Sequence, residues 1–414
     1  MSYRRGFRAV VVAAASAFAA TAASLATAPL AVTSAGAAPP PAATAVASSE
    51  QSFALDLLHR LGASEPNLVL SPSSLGTLLA MLEPGAAGTT ELGIARALSS
   101  SSLSPAGQAQ GWAALGTWLR NRAARDHTVL DTANQAWFQK TLSVLPSYLA
   151  TLSQDFHTGV QHLAASPAAS ASAIDAWVAA HTGGHITHLL SAAELVNAVA
   201  VLVDAVYMKA AWDTPFDASL TGAAPFYTAP GHHVTVQMME SQQDWNAALS
   251  TSPGLDAIAL PYRGDDLSAL VLMPPLGRLG AFEQDLSAAE LSQIVAQLSE
   301  QRVSLYMPRF SVSSDLSLEQ VLSEMGMAQA FSNSADFSNL SAQPVKLSFV
   351  VQDAQMKVNE NGTEASAASA AGIEPTAVAP MPHVTIDIDH PFLFLIRDNA
   401  TGLVLFEAQV GDPA

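Results

Sequence analysis

The most enzyme-like cluster in the chain is the stretch HTGGHITH, which holds His181, His185 and His188. Imidazole nitrogens bind zinc, copper and nickel, so three histidines this close together could form a metal site. However, Gly183 and Gly184 interrupt any helix that would align the three rings, and no carboxylate close by in the sequence completes a ligand set. We therefore predict histidines in a surface turn, with a metal site as the alternative.

Other motifs that carry chemistry are missing from the sequence. It contains no cysteine, which excludes disulfides, thiolate nucleophiles and zinc–thiolate sites. The hydrolase elbow G-x-S-x-G, the metalloprotease motif H-E-x-x-H and the glycine-rich phosphate loops are absent as well. Nothing in the sequence therefore singles out a nucleophile or a general base.

Composition and charge narrow the class of partner. Of the 414 residues, 50% are hydrophobic and 13% are charged, and the formal net charge is −18. The hydrophobic content is sufficient for a folded core. Nucleic acids, polyanionic glycans and anionic membranes are bound mainly through Lys and Arg, which this acidic chain has in short supply. We expect none of these as a partner or as a polyanion cofactor.

The N-terminal stretch MSYRRGFRAVVVAAASAFAATAASLA has a basic start and then an apolar run of small residues. This pattern is typical of a secretory signal peptide. We predict a signal peptide over 1–37, cleaved after Ala37, then a disordered lead-in over 38–49, and a mature protein that is secreted and extracellular. The pair Arg4 and Arg5 leaves both the Sec and the twin-arginine export routes open.

Helical patterns dominate the first half of the chain and strand patterns the second. Apolar spacing and end signals predict helices at QSFALDLLHRLG, at SPSSLGTLLAMLEPG, and over 173–180 and 317–325. The valine-rich run LVNAVAVLVDAVYMKAAW suits a central strand buried on both faces, and PFLFLIRD and LVLFEAQV flank DNATG as a hairpin. Helices first and strands later indicate an α+β fold, which we expect to form a single domain over 50–414.

One low-complexity tract interrupts this pattern, the stretch NENGTEASAASAAGIEPTAVAPMP at 359–382. A tract of small residues of this kind usually marks a linker, yet strand-like sequence follows it at once. Five segments of the chain give it another meaning. They are, in order, NLVLSPSSLGTLLAMLEPGAAGTTELGIARAL, VDAVYMKAAWDTPFD, VSLYMPRFSVSSDLSLEQVLSEMGMAQAFSNSADFSNLS, NENGTEASAASAAG and DHPFLFLIRDNATGLVLFEAQVGDP. They resemble, in the same order, segments of serpins, the serine protease inhibitor family, and the resemblance covers nearly all of 50–414.

The resemblance implies the serpin fold, with helices packed around three β-sheets and a long exposed reactive-centre loop at about 360–382. In the family, a protease cuts this loop, and the N-terminal part of the loop, the hinge, then inserts into the middle of a large sheet. Small side chains suit a strand that must enter a close-packed interior, and we expect the face with Thr363 to be the buried one. The hinge residues that the resemblance implies are Glu360, Gly362, Thr363, Glu364, Ala365, Ser366, Ala367, Ala368 and Ser369.

The resemblance also implies residues that control the opening of this sheet. A polar group beneath the sheet falls on Ser71, Ser74, Asp204 and Gln352, and Trp212 matches a tryptophan near its top. The family usually has Asn and His where this chain has Asp204 and Gln352. A buried carboxylate must be hydrogen-bonded or protonated, so the effect of Asp204 on the stability of the closed sheet is an open question.

The function that the resemblance implies is irreversible inhibition of a serine protease, which becomes covalently bound to the cut loop of a monomeric inhibitor. The resemblance accordingly implies a protein that is not an enzyme and that has no catalytic residue, no metal and no cofactor. Counting the family's usual loop length from Glu360 places the scissile bond between Thr376 and Ala377, with Val378 as the furthest shift. No Arg or Lys precedes this bond, which favours elastase- or subtilisin-like targets. A non-inhibitory serpin that acts as a binding or carrier protein is the alternative, although its hinge would be expected to carry bulky, charged or proline residues.

Overall fold

The computed structural model describes residues 38–62, 65–126, 128–241, 245–252, 254–363 and 383–414. The predicted signal peptide at 1–37 and the segment 364–382 lie outside these residues. No helix in the described ranges combines the length and the hydrophobicity that a membrane span needs. The α-helices are α1 Pro41–Leu61, α2 Pro72–Leu82, α3 Gly88–Ala97, α4 Pro105–Asp126, α5 Pro146–Asp155, α6 Pro167–His181, α7 Leu279–Asp285, α8 Ala288–Gln297 and α9 Glu319–Leu322.

The strands are numbered in chain order, and six of them, β4 to β9, follow one another without an intervening helix. They are β1 Asn67–Leu70, β2 Val129–Phe138, β3 Val160–His162, β4 Ala200–Ala211, β5 Gly222–Ala229, β6 His232–Glu240, β7 Trp245–Ser252, β8 Leu255–Pro261, β9 Leu267–Met273, β10 Ser299–Pro308, β11 Phe310–Ser317, β12 Phe349–Asn359, β13 Gly362–Thr363, β14 His383–Asp387, β15 Phe392–Asp398 and β16 Val404–Val410.

These strands form three β-sheets. The central sheet has the order β11-β12-β13-β4-β2-β3. A second sheet has the order β1-β16-β15-β9-β8-β7, and β5, β6, β10 and β14 form the third. Strand β10 also pairs with β7, so the second and third sheets share one continuous hydrogen-bonded ladder. The predicted α+β fold with helices around three sheets is confirmed.

The central strand β4 is buried on both faces, as its valine-rich sequence predicts. On one face, Val201 and Val203 pack with Ile174 of α6 in a small apolar cluster. On the other face, Leu202 and Val206 belong to the main core, which also includes residues of α2 and of the second sheet. Because side chains alternate along a strand, Asp204 faces the main core as well.

Helix α1 corrects one expectation. Residues 41–49, predicted to belong to a disordered lead-in, are helical and continue into the predicted helix that ends at Leu61. Alanine favours helix, and Pro41 fits the first helical position. Packing supplies the rest: Val46 is buried against α4 where Gly111 leaves room, since a Cβ on that glycine would lie 2.2 Å from Cγ2 of Val46.

The helix predicted over 317–325 is shorter than expected. Strand β11 continues to Ser317, and α9 covers only four residues before a wide π-helical turn over Ser323–Met327. Gly326 has a φ of 124° in this turn, a conformation that favours glycine. Its carbonyl oxygen lies 2.6 Å from where a Cβ of Gly93 would stand, so the turn and α3 approach each other through two glycines.

Candidate functional site

The central sheet is divided at its top and closed below. At the top, the two-residue strand β13 lies between β12 and β4, with Thr363 opposite Val358 on one side and Ala210 on the other. Lower down, β12 pairs directly with β4 in parallel from Phe349 to Ala354. The two residues of β13 therefore already lie between β4 and β12, where a longer inserted strand would continue.

Gly362 has a conformation that other residues rarely adopt. Its φ is 143°, and a Cβ at this position would lie 2.0 Å from the carbonyl oxygen of Ala210. A side chain here would therefore clash with β4 as well as strain the backbone. Glycine is required for the chain to turn from β12 back into the gap.

Thr363 is buried and is held by an aromatic pair. Its Oγ1 lies 2.6 Å from the hydroxyl oxygen of Tyr262, and both groups are buried. The Tyr262 ring stacks on Trp212 with 4.6 Å between centroids and 9° between planes. The Trp212 Nε1–H donates to the carbonyl oxygen of Asn359, and its backbone N–H donates to that of Asn361. Trp212 thus fixes the turn that leads into β13.

Glu360, in the same turn, is buried and accepts hydrogen bonds from two sides. The Arg309 guanidinium contacts it through Nε at 2.6 Å and also through Nη2, and the Thr221 hydroxyl donates to it at 2.5 Å. Burial alone would raise the pKa of Glu360, but the bonds from Arg309 and Thr221 outweigh it and lower the pKa. The turn is therefore held by an ionised carboxylate paired with an arginine.

A second group lies in the middle of the sheet, where β4 and β12 pair directly, on the side that faces the main core. We call Ser71, Ser74, Asn134, Asp204 and Gln352 the polar cluster. The Gln352 amide nitrogen donates to the Ser71 carbonyl oxygen at 3.0 Å and to Asp204 Oδ2 at 2.5 Å, while its Oε1 accepts the Ser71 N–H at 3.0 Å. The Ser71 hydroxyl donates to the carbonyl oxygen of Leu405 at 2.6 Å instead of capping α2. The cluster thus joins α2, β2, β4, β12 and β16.

Asp204 is the most constrained member of the polar cluster. Its side chain is fully buried, and Ser74 Oγ lies 2.5 Å from its Oδ1. Burial raises the pKa of Asp204 to about 7, although the hydrogen bonds from Ser74 and Gln352 lower it. Asp204 also stands opposite Gln352 on β12 and Asn134 on β2 in the strand registers.

The structure brings together the predicted residues in two separate places. Glu360, Gly362, Thr363 and Trp212 meet at the top of the sheet, while Ser71, Ser74, Asp204 and Gln352 meet in its middle. The remaining predicted residues lie outside the described ranges. These are Glu364, Ala365, Ser366, Ala367, Ala368 and Ser369 of the hinge, and Thr376 and Ala377 at the scissile bond.

Four residues of these two groups were missed in the sequence: Thr221, Tyr262, Arg309 and Asn134. Each contacts a partner that is far away in the chain, such as Tyr262 with Thr363 over 101 positions. The only signal in the sequence is that Tyr262 and Arg309 each follow a proline at the end of an apolar strand. That signal marks the end of a strand but not the partner.

The three histidines of HTGGHITH have separate partners. The His181 ring lies tilted against that of Trp177 and donates to the Trp177 carbonyl oxygen, and the His185 ring stacks on Tyr207 of β4. His188 does contact a carboxylate, that of Asp175 at 3.3 Å, which is 13 positions earlier in the sequence. Among the described residues no group of three His, Cys, Asp or Glu side chains could hold a metal ion.

Comparisons with known proteins agree with this geometry. The family model described as serpin (serine protease inhibitor) matches residues 48–413. An uncharacterised serpin-like protein of Thermococcus kodakarensis is 32% identical over 377 residues, which cover 89% of this chain and 86% of the relative. Leukocyte elastase inhibitor of Sus scrofa is 31% identical over 382 residues, covering 89% of this chain and 99% of the relative. The structure of human thyroxine-binding globulin with its ligand aligns with a TM-score of 0.79 at 26% identity, covering 90% of this chain and 100% of the other. The chain therefore belongs to the serpin (serine protease inhibitor) family, and it is not an enzyme.

Proposed function

We propose that this serpin irreversibly inhibits serine proteases by inserting its cut loop between β4 and β12. The observation that carries the proposal is the position of β13, which already separates these two strands at one end. The residues that flank Thr363, Val358 and Ala210, are 148 positions apart in the sequence (358 minus 210). Gln352 and Asp204, which still pair directly, are also 148 positions apart (352 minus 204).

The equal spacing means that β4 and β12 need not slide past each other during insertion. They need only move apart by about the width of one strand, roughly 5 Å, to admit a continued β13. If both pairings of Thr363 continue down the sheet, Ser369 comes to lie between Asp204 and Gln352, with its side chain on the same face of the sheet as theirs. Thr363, Ala365, Ala367 and Ser369 would then share the core-facing side, where small side chains fit beneath closely packed neighbours.

The chemistry of trapping belongs to the protease. Its serine hydroxyl attacks the carbonyl carbon of Thr376, the bond between Thr376 and Ala377 breaks, and the new amine of Ala377 leaves with a proton. The protease serine is then esterified to the new C-terminus of the hinge. Insertion of the hinge would move this ester away from its starting position before water can hydrolyse it. The inhibitor supplies bait and stored conformational energy and no catalytic group.

The residues before the bond suggest the class of target. Ile373, Glu374, Pro375 and Thr376 include no basic side chain, so a protease with an elastase- or subtilisin-like pocket is the proposed partner. Leukocyte elastase inhibitor is among the relatives, and its name supports the same class. The basic, apolar N-terminus supports a further proposal, that the protein is exported and acts outside the cell.

The test is to mix the purified protein with elastase- and subtilisin-like proteases. We expect complexes that survive SDS, together with loss of protease activity. Mass spectrometry of the released C-terminal fragment will fix the cut at Thr376 or at one of the next two residues. Cleavage with full turnover by every protease tried would contradict inhibition. It would favour the alternative of a binding or carrier protein, which is the role that thyroxine-binding globulin has by its name.

A further inference from the structure

The turn that leads from β12 into β13 contains the one Asn-Gly pair of the sequence, Asn361-Gly362. Glu360 and Asn361 form the turn itself, between Asn359 at the end of β12 and Gly362 at the start of β13. Asparagine is a chemically labile residue, and it is most labile before glycine, because no side chain on the next residue blocks the backbone nitrogen from the asparagine Cγ. The sequence therefore places a labile pair at the first residues of the hinge.

The structure leaves the Asn361 side chain free to react. Asn361 is half-buried and lies in the wall of an open cavity of about 590 Å³ that Arg309 and Glu360 also line. Its backbone N–H donates to Asn359 Oδ1 and its carbonyl oxygen accepts from the Trp212 N–H, both at 2.9 Å. Within the described ranges, no residue forms a hydrogen bond with its side-chain amide. The amide group can therefore rotate towards Gly362, and water can reach it.

Other asparagines of the chain are more protected. The side-chain amides of Asn67, Asn339 and Asn399 each donate to a backbone carbonyl oxygen. They are followed by leucine or alanine, whose Cβ crowds the backbone nitrogen. A held side chain and a blocked nitrogen both slow the reaction, so Asn361 is the position at which it should occur first.

We propose that Asn361 is a site of spontaneous deamidation, and that its isoaspartate product moves β13 out of the gap between β4 and β12. The Gly362 backbone nitrogen loses its proton to hydroxide and bonds to Asn361 Cγ, the Cγ–Nδ2 bond breaks, and ammonia leaves with a proton from water. Water then opens the resulting cyclic imide at either of its two carbonyl groups and gives aspartate or isoaspartate. The net change is one water consumed and one ammonia released.

Isoaspartate lengthens the main chain where the packing is tightest. The main chain then runs through Cβ and Cγ of residue 361, which adds one carbon atom before Gly362. Gly362 already approaches β4 so closely that a Cβ on it would lie 2.0 Å from the Ala210 carbonyl oxygen and 2.8 Å from the Ala211 Cα. Because this close-packed gap has no room for an extra atom, the longer turn displaces β13.

The contacts that hold the turn are lost as well. In isoaspartate the carbonyl group that accepts from the Trp212 N–H becomes a free carboxylate outside the main chain, so this bond no longer fixes the turn. Displacement of β13 also separates Thr363 from the Tyr262 hydroxyl. The aspartate product differs, because its main chain is unchanged and its carboxylate takes the place of the amide beside the open cavity. Aspartate should therefore leave β13 in place.

The test keeps the full protein at about pH 8 and about 37 °C for several days, because the attacking nitrogen must first lose its proton. Peptide mass spectrometry locates the lost amide, and protein isoaspartyl methyltransferase, which methylates isoaspartate and not aspartate, identifies the product. We expect deamidation at Asn361 to be at least about tenfold faster than at Asn67. Hydrogen exchange over 358–363 should be faster in the isoaspartate fraction than in fresh protein.

Two variants are matched controls for this experiment. Asn361→Asp reproduces the aspartate product and should show the hydrogen exchange of fresh protein over 358–363. Asn361→Gln keeps an amide but requires a larger ring for the same attack, so it should form almost no imide. The effect on inhibition rests on the proposed function: the number of inhibitor molecules consumed per protease molecule inactivated should double when half of the molecules carry isoaspartate, and should stay constant in aged Asn361→Gln.

The outcomes separate this proposal from the proposed function. Deamidation at another asparagine before Asn361, or none at Asn361, would overturn the site. Isoaspartate at this position with unchanged exchange over 358–363 would overturn the displacement of β13. If isoaspartate forms and exchange rises, but fresh protein inhibits no protease, the deamidation site and its effect on β13 are supported and the proposed function is contradicted.

Discussion

The substitution Thr363→Arg tests the insertion mechanism at its first step. The Thr363 side chain is 2% exposed between β12 and β4, and its hydroxyl contacts Tyr262. An arginine there has no space between the two strands, and the carboxylate of Glu360 in the preceding turn is already paired with Arg309. Burying an unpaired charge costs several kcal/mol, and overpacking adds about 1–3 kcal/mol. A penalty of at least about 3 kcal/mol would displace β13, the first part of the hinge, from between β12 and β4.

The consequence is a change in the fate of the acyl-enzyme, which either is trapped by insertion of the hinge or is hydrolysed to release active protease. If about 3 kcal/mol falls fully on the insertion step, insertion slows by roughly 100-fold, and hydrolysis of the acyl-enzyme then competes. The assay is a titration of a fixed amount of protease, which gives the number of inhibitor molecules consumed for each protease molecule inactivated. We expect that number to rise by up to roughly 100-fold for Thr363→Arg and to change little for Thr363→Val, which is similar in size and uncharged. An unchanged number for Thr363→Arg would refute the reasoning.

Three further predictions concern stability, measured by urea or thermal unfolding. Glu407→Gln should stabilise the protein by about 1–3 kcal/mol at pH 7.5 and little at pH 4, because burial, and then the charges of Glu50 and Glu283, raise the pKa of Glu407 well above its ordinary value. A carboxyl group whose pKa is raised by folding stabilises the fold fully below its unfolded-state pKa, and this contribution is lost as the pH rises. Equal effects of Glu407→Gln on stability at the two pH values would therefore contradict a raised pKa of Glu407. Arg309→Ala should destabilise the protein by about 1–3 kcal/mol, because Glu360 stays buried without its cation, and Arg309→Lys should recover part of this loss. An unchanged stability of Arg309→Ala would contradict a stabilising ion pair. Tyr262→Phe should cost about 1–2 kcal/mol, and much less in a Thr363→Val background, where the hydroxyl partner is already gone.

The elements of the fold that could be predicted are those with a strong local pattern. β4 follows from a valine-rich run, and the hairpin β15–β16 follows from apolar strands on either side of DNATG. The start of α1 could not be predicted in this way, because a run rich in Ala and Ser has no apolar period. Its helicity depends on the contact of Val46 with α4, which only the fold creates.

The site shows the same division between local and long-range information. The residues placed at the top and in the middle of the central sheet came from the resemblance to serpins, and not from spacing. Arg309 and Tyr262 were not found, because the pairs they form with Glu360 and Thr363 depend on strand registers that no local pattern encodes.

The most direct measurement of the central claim is the mass of the product formed with an elastase- or subtilisin-like protease. We predict a covalent species whose mass is that of the protease plus the inhibitor without the residues that follow the scissile bond, and whose inhibitor part resists heating far better than the uncut protein. If only cleaved inhibitor and active protease are recovered, and cleavage leaves the melting temperature unchanged, the hinge does not insert between β4 and β12 and the account is wrong.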